Sequence, residues 1–171
     1  MIARATLALA AALVAAAAAL PARAGDLVAV EPRPVAVTVQ DRSGRDLSLA
    51  DVRGELTLLH FWASWCGSCR TEFPAIDALQ RDMRDRGVRV VAVSLDRLGW
   101  PAIDKTVETL GIRDVGLYHD VDRRTSQALG VAGLPTTVVV DRDGREVARI
   151  IGAGAWEDPA LRARLEALGR R

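Results

Sequence analysis

The stretch LTLLHFWASWCGSC, residues 56–69, contains both cysteines of the chain, Cys66 and Cys69. Its first part, Leu56–Trp62, is almost entirely apolar, which is typical of a short β-strand buried on both faces of a sheet. After Cys69, apolar side chains recur at the spacing of an amphipathic helix over Arg70–Arg86. The sequence therefore predicts a buried strand, a loop that carries the two cysteines, and a helix.

Two thiols separated by two residues at a strand-to-helix junction are suited to redox chemistry. The free N–H groups and the dipole at a helix N-terminus favour an anion, so a helix that begins at Cys66 would favour its thiolate and make it the nucleophile. Cys69 lies one turn further along, within disulfide range, and is the natural resolving thiol. A disulfide between residues this close in sequence closes a small loop and adds little stability. A redox role is therefore favoured over a structural one.

Other uses of the cysteine pair fit the sequence less well. Zinc would need two further ligands, and only His60 and His119 could add imidazoles. Covalent haem attachment requires a histidine directly after the second cysteine, where this chain has Arg70. A peroxide-reducing thiol would be expected to follow Pro and Thr, whereas HFWASW precedes Cys66. Zinc and an inert structural bridge stay open as minor alternatives.

Residues 1–24 have the pattern of an export signal. An uncharged run rich in Ala and Leu extends from Ala5 to Leu20, and Ala22 and Ala24 supply the small residues of a cleavage site. As a helix, this run would reach roughly 24 Å, which is short of the roughly 30 Å hydrocarbon core of a bilayer. We therefore expect cleavage after Ala24 and a soluble periplasmic protein, with a retained membrane anchor as the alternative.

The charge composition argues against nucleic-acid binding. The chain has 23 Lys and Arg residues against 22 Asp and Glu residues, and the arginines are scattered among carboxylates rather than grouped in a stripe. The part after Ala24 is long enough to bury a core without further crosslinks. We expect one domain and a monomer.

The rest of the chain alternates apolar runs with amphipathic segments, as in an α/β domain with a mixed central β-sheet and helices on both faces. We expect a leader over 25–34 and then one domain over 35–171, which opens with a β-hairpin around the turn at 41–44. The later strands are predicted over Val88–Leu95, Val115–His119, Thr136–Val140 and Glu146–Ile151, and the later helices over Ala102–Leu110, near Leu129 and over Pro159–Leu168.

FWASWCGSC and the RTEFP that follows it resemble the thioredoxin superfamily and, more narrowly, the exported TlpA/ResA-like thiol-disulfide oxidoreductases. GLPTT, residues 133–137, is similar to the cis-proline loop of that family, and DRDGREVARIIG to the hairpin after it. The resemblance covers residues 35–168. It implies a thioredoxin fold with an added N-terminal β-hairpin and a redox-active Cys66–Cys69 disulfide, with no bound cofactor or metal.

The resemblance also implies roles for individual residues. Cys66 would be the nucleophile and Cys69 the resolving cysteine, and Pro135 would face the disulfide and shape the substrate groove. Leu134 would pair its backbone with a client peptide as an added strand, and Trp65 would offer apolar surface to it.

Two further side chains are candidates for moving protons. Glu72 lies three residues after Cys69, near the same helix face, where a partly buried carboxylate could exchange protons with the thiol. The alternative is a solvated carboxylate in the first turn.

His60 departs from the family, since thioredoxins have Asp at this position and many TlpA-like proteins have Asn. Its imidazole could accept the Cys69 proton, or it could be a core histidine satisfied by one backbone bond.

The function implied by the resemblance is the reduction of disulfides in client proteins during cytochrome assembly. The clients would be apocytochrome c or copper-delivery proteins, and a membrane thiol-disulfide carrier would supply the electrons. Two alternatives stay open: a periplasmic dithiol oxidant or isomerase, and a copper-binding chaperone. The second is disfavoured because the chain has only two Met, two His and two Cys residues.

Overall fold

Strands and helices alternate along residues 23–170, the part of the chain that this computed structural model describes. The strands are β1 (Leu27–Pro34), β2 (Thr38–Gln40), β3 (Asp46–Ser48), β4 (Leu56–Trp62), β5 (Val88–Ser94), β6 (Gly116–His119), β7 (Thr136–Asp141) and β8 (Arg145–Ile151). The helices are α1 (Leu49–Val52), α2 (Gly67–Met83), α3 (Trp100–Leu110), α4 (Arg124–Ala128) and α5 (Pro159–Gly169), and a 3-10 turn over Arg84–Arg86 follows α2.

All eight strands form one mixed sheet in the order β1-β8-β7-β4-β5-β6-β2-β3. The central strand, β4, pairs in parallel with β5 and antiparallel with β7, and every one of its residues is buried. Because side chains alternate along a strand, Leu58 and Trp62 pack on one face of the sheet while Leu59 and Phe61 pack on the other. The predicted buried strand and the mixed α/β fold are confirmed.

Helices cover the two faces unequally. The face with Leu58 and Trp62 packs against apolar side chains of α2, α3 and α5, and the opposite face packs against α1, the loop after α4 and the β2–β3 hairpin. The hairpin was predicted, and it pairs antiparallel from Thr38 opposite Ser48. It extends the sheet beyond β6 through a single bridge between Gln40 and His119.

The predicted leader over 25–34 requires a correction. Residues 27–34 form β1, an edge strand that pairs antiparallel with β8 and shifts register between Ala29 and Arg33. Proline is tolerated at a sheet edge because its missing N–H faces away from the partner strand. The segment lacks the alternation of a half-buried strand, since only its first residue, Leu27, is buried, and the pattern therefore gave no strand signal.

The predicted signal peptide over 1–24 lies outside the described residues, apart from residues 23 and 24. Cleavage after Ala24 stays a prediction. Among the helices of the described part, none has the length and apolar character needed to cross a membrane.

Asp77 ties α2 to the segment before β6. Its buried carboxylate accepts hydrogen bonds from the backbone N–H groups of Arg113, Asp114 and Val115, at 2.7–3.1 Å. These donors lie in a loop and have no strand partner. Asp77 therefore links α2 to the segment that leads into β6.

Replacing Asp77 by Ala removes the acceptor of these N–H groups, and we expect the free energy of unfolding to fall by about 2–3 kcal/mol. Urea denaturation with the disulfide intact measures the change. Glu108→Ala, which removes an exposed carboxylate from α3, is the matched control and should leave the denaturation midpoint unchanged. A midpoint for Asp77→Ala equal to the wild-type value would contradict the prediction.

Candidate active site

The loop between β4 and α2 places Cys66 at the N-terminus of the helix. Cys66 is the N-cap residue, with an extended backbone conformation, and its Sγ accepts a hydrogen bond from the N–H of Cys69 at 3.2 Å. The Oγ of Ser68 lies 3.6 Å from the same sulfur. The helix begins at Gly67, three residues earlier than the apolar pattern predicts. A sulfur in this position is stabilised as an anion by unpaired N–H groups and the helix dipole.

The two cysteines form a disulfide with an S–S distance of 2.07 Å and a Cα–Cα distance of 5.3 Å. Their accessibility differs, because Cys66 retains 7% of its surface exposed and Cys69 retains none. A partner sulfur can therefore approach Cys66 directly, whereas it reaches Cys69 only through Cys66. This asymmetry favours Cys66 as the nucleophile.

A groove of about 510 Å³ borders Cys66. The peptide bond between Leu134 and Pro135 is cis, and Pro135 is buried at the beginning of β7, where its carbonyl accepts a hydrogen bond from Gly152. Leu134 lines the groove, as does Trp65, whose side chain is 65% exposed. Two of the predicted substrate-binding residues, Trp65 and Leu134, thus line the groove beside Cys66, and Pro135 directly follows Leu134.

Glu72 is buried, and the alternative of a solvated carboxylate is wrong. One of its oxygens, Oε2, accepts hydrogen bonds from the indole Nε1–H of Trp156 at 2.6 Å and from the N–H of Gly154 at 2.8 Å. Burial raises the pKa of Glu72 to about 7, and the hydrogen bonds from Trp156 and Gly154 oppose that rise only in part. Trp156 was not predicted as a site residue, because no spacing in the sequence connects it to Glu72.

His60 points toward the same face of the sheet as Leu58 and Trp62, and its imidazole reaches Glu72. Its Nδ1 lies 2.9 Å from the Oγ1 of Thr137, and its Nε2 lies 3.7 Å from the Oε1 of Glu72. The alternative prediction was a core histidine satisfied by one backbone hydrogen bond. His60 instead contacts the side chains of Thr137 and Glu72. Burial lowers the pKa of His60 to about 3.

The Nε2 of His60 and the Oε1 of Glu72 are buried, and neither has a hydrogen-bond partner among residues 23–170. At neutral pH the imidazole is uncharged, so one of its nitrogens is a donor and the other an acceptor. When Glu72 is protonated, its acid proton can point at Nε2 while Nδ1–H faces Thr137. When Glu72 is ionised, the other tautomer presents Nε2–H to the carboxylate and the Thr137 hydroxyl can donate to Nδ1. The pair can therefore accommodate both states of the carboxyl group.

Asp96 fastens the cysteine loop to the end of β5. Its buried carboxylate accepts hydrogen bonds from the N–H and Oγ–H of Ser64, at 2.9 and 2.5 Å, and from the Oγ–H of Ser94 at 2.7 Å. Asp96 was not among the predicted site residues. A signal was available, since polar side chains directly after neighbouring parallel strands meet at one edge of the sheet.

Within residues 23–170, no group of three or more His, Cys, Asp and Glu side chains is arranged to hold a metal ion.

The fold and the site together define a thioredoxin-fold domain with a Cys-X-X-Cys disulfide at a helix N-terminus. A more particular assignment follows from its relatives. The AhpC/TSA family matches residues 32–148, and the chain belongs to this family of the thioredoxin superfamily.

Two curated proteins illustrate the similarity. Thiol-disulfide oxidoreductase ResA of Geobacillus thermodenitrificans is 32% identical over 122 residues, which cover 70% of this chain and 68% of the relative. ResA of Bacillus thuringiensis is 31% identical over 114 residues, which cover 67% of this chain and 65% of the relative. The second match therefore spans less than two thirds of that protein's length. The predicted resemblance to ResA-like proteins is confirmed.

Solved structures agree on the fold. A Chlorobium tepidum protein described as a candidate thiol:disulfide interchange protein DsbE has a TM-score of 0.69 and 29% identity, covering 78% of this chain and 93% of its own. DsbF of Mycobacterium tuberculosis has a TM-score of 0.66 and 26% identity, covering 77% of this chain and 94% of its own. The predicted thioredoxin fold is confirmed.

The opposite pKa changes of Glu72 and His60 predict how stability depends on pH. The folded state holds the Glu72 proton up to about pH 7, so this group's stabilising contribution is lost as the pH rises from about 4.5 to 7. The folded state resists protonating His60, so this group's contribution is lost as the pH falls from 6.5 toward about 3. Between about pH 4.5 and 6.5 the two effects oppose each other.

Glu72→Gln removes one of these effects. The effect is expressed as the equilibrium constant of unfolding of the variant divided by that of the wild type. We expect this ratio to increase as the pH falls from 6.5 to 4.5, by at most about tenfold per pH unit. His60→Asn should change the ratio in the opposite direction. Urea denaturation at several pH values measures both, with the exposed Glu157→Gln as the control. Parallel pH profiles for Glu72→Gln and the wild type would contradict the prediction.

Proposed function

We propose that the protein is an exported thiol-disulfide oxidoreductase that reduces disulfides in client proteins. The observation that carries the proposal is the disulfide at the N-terminus of α2, in which an accessible Cys66 is joined to a fully buried Cys69 beside an open groove. The family and the relatives named ResA support the same chemistry. The described state is the oxidised one, which is the product of reducing a client.

The reaction has two exchange steps. In the reduced protein, the Cys66 thiolate attacks one sulfur of the client disulfide, forming a mixed disulfide and releasing the other client sulfur as a thiolate. The Cys69 thiolate then attacks the Cys66 sulfur, which forms the internal disulfide and releases the second client thiolate. The client gains two electrons and, with two protons, becomes a dithiol, while the protein is oxidised.

The second step requires Cys69 to lose a proton inside the core. Glu72 follows it by three residues on α2, which makes the two neighbours on the helix surface. We assign Glu72 as the group that accepts this proton. His60 supports it, because its Nε2–H can face the Oε1 of the ionised carboxylate, 3.7 Å away in the described state. The buried Oε1, which has no hydrogen-bond partner among the described residues, thereby gains a donor in addition to the two that serve Oε2.

The groove beside Cys66 suits an extended client segment. Cis-Pro135 ends the loop that presents Leu134 on the groove wall, and the backbone of Leu134 is the proposed pairing partner for a client strand. Trp65 supplies exposed apolar surface in the same groove. In the proposed arrangement a client cysteine enters this groove, next to the Cys66 sulfur.

The proposed clients are proteins of cytochrome assembly, either apocytochrome c with its cysteine pair or copper-delivery proteins. This choice rests on the resemblance to TlpA/ResA-like proteins, and the periplasmic location rests on the export pattern of residues 1–24. Each turnover leaves the protein oxidised, so a membrane thiol-disulfide carrier is proposed as the electron donor. We propose that it acts as a monomer and without a cofactor.

The direction of the reaction predicts the reduction potential of the Cys66–Cys69 pair. We expect a value at or below about −220 mV, approaching the roughly −270 mV of thioredoxin. Equilibration with dithiothreitol, followed by Trp fluorescence, measures it because Trp65 adjoins Cys66 and Trp62 ends β4. Cys69→Ser, which cannot form the disulfide, controls for other effects on the fluorescence. A value near about −120 mV, as for DsbA, would make the protein an oxidant instead.

The order of the two steps predicts different behaviour for the two cysteine variants. Cys69→Ser should form a mixed disulfide with an oxidised dithiol peptide and hold it, because the resolving thiol is missing. Cys66→Ser should form no such adduct, because the remaining thiol is buried. Non-reducing gel electrophoresis and mass spectrometry identify the adduct. Trapping by Cys66→Ser rather than Cys69→Ser would reverse the assigned roles.

A further inference from the structure

Three neighbouring depressions share lining residues, and Cys66 lines one of them. The groove beside Cys66 shares Trp65 and Arg123 with a second depression of about 530 Å³, which also contains Arg97 and Leu98. A third depression, of about 490 Å³, shares Ser64 and Leu98 with the second. It adds two further cations, Arg70 and Lys105. The three depressions therefore form one continuous surface.

Four cations lie on this surface: Arg70, Arg97, Lys105 and Arg123, hereafter the basic rim. Among residues 23–170, no carboxylate oxygen lies within 4 Å of their charged nitrogens. Some arginines outside the basic rim pair with a carboxylate, as in Arg84–Asp114 at 2.7 Å. Others among residues 23–170, such as Arg89 and Arg113, have no such partner. The whole chain is nearly balanced in charge. The excess of positive charge at the basic rim therefore results from where the fold places these four residues.

Nearby acidic side chains do not neutralise the basic rim. Asp96 is the one carboxylate among the described residues that line the three depressions, and it is 3% exposed with both oxygens bonded to serines. Asp122 precedes Arg123 in the chain, but it pairs with Arg124 at 2.7 Å. By formal charge, the side chains that line the three depressions are therefore net positive.

Arg123 is held in place on the groove wall. It is the one non-glycine residue of the described part with a positive φ, 56°, a conformation that most side chains disfavour. Its Nη2 donates to the carbonyl of Leu95 at 3.4 Å, and its N–H donates to the carbonyl of Asp120. The Asp120 carboxylate in turn accepts the N–H groups of Thr125 and Ser126. The turn that carries this cation is thus fixed from both sides.

The centre of the surface is apolar, since Trp65 is 65% exposed and Leu98 is 80% exposed. We infer that the basic rim selects clients in which acidic residues flank the reacting cysteine. Such a segment would place an apolar side chain against Trp65 and Leu98 and its carboxylates toward Arg97 and Arg123. Opposite charges across an interface accelerate encounter and reject partners of like charge. This inference rests on the proposed function, because it names the client chemistry of the same site.

The test compares disulfide-bridged peptides of identical length in which the residues beside each cysteine are Asp, Asn or Lys. The reduced wild-type protein should reduce the Asp peptide about tenfold or more faster than the Lys peptide at low ionic strength, with the Asn peptide between them. The difference should shrink as salt is added, because salt screens exposed charges.

The double variant Arg97→Gln/Arg123→Gln should lose most of this preference. The double variant Arg89→Gln/Arg142→Gln removes the same charge from exposed arginines outside the three depressions and should keep it. Reduction of the neutral 2-hydroxyethyl disulfide should be equal in all three proteins, which shows that the thiols react normally.

The outcomes separate the two proposals. If none of the disulfides is reduced, the proposed function fails. If all three peptides are reduced at one rate, or the Lys peptide is fastest, the function stands and the inference about the basic rim is overturned. Equal loss of preference in both double variants would also overturn it, because the effect would then follow net charge rather than position.

Discussion

The burial of β4 between β5 and β7 is the constraint on which the site depends. Its backbone groups pair with a parallel neighbour on one side and an antiparallel neighbour on the other, and all of its side chains are excluded from water. Alternation along this strand directs His60 toward the α2 face and places Trp62 against Phe73, with ring centroids 4.5 Å apart. After β4 the chain leaves the sheet and reaches Cys66, the N-cap residue of α2. The position of the sulfurs and the desolvation of the His60 imidazole therefore have one common cause.

That desolvation also explains why an ionisable pair lies in the core. For Glu72, burial outweighs two hydrogen bonds that would favour the carboxylate, so its pKa rises to about 7. For His60, burial alone lowers the pKa to about 3. At neutral pH the contact at 3.7 Å therefore joins a carboxyl group close to its midpoint and an uncharged imidazole. A group near its midpoint both accepts and releases protons with little cost in free energy, which is the property a resolving thiol requires of its neighbour.

The parts of the fold that could be predicted are those indicated by residues close together in the sequence. Seven consecutive buried residues in β4 give an apolar run, and two cysteines at this spacing before a helical pattern define the reactive loop. The edge strand β1 gives no such run, because it buries one residue and contains two prolines. The contacts of Glu72 with Trp156 and of His60 with Thr137 join residues 84 and 77 positions apart. Such contacts follow from strand order and register, which composition and spacing do not determine.

The two sulfurs occupy electrostatically different surroundings, and this difference imposes the order of the chemistry. The helix N-terminus lies on the Cys66 side and favours an anion there. Cys69 is enclosed, with no exposed surface, where a thiolate would be poorly solvated unless a proton acceptor acts as it forms. In the proposed reaction, attack through Cys66 therefore precedes proton loss from Cys69.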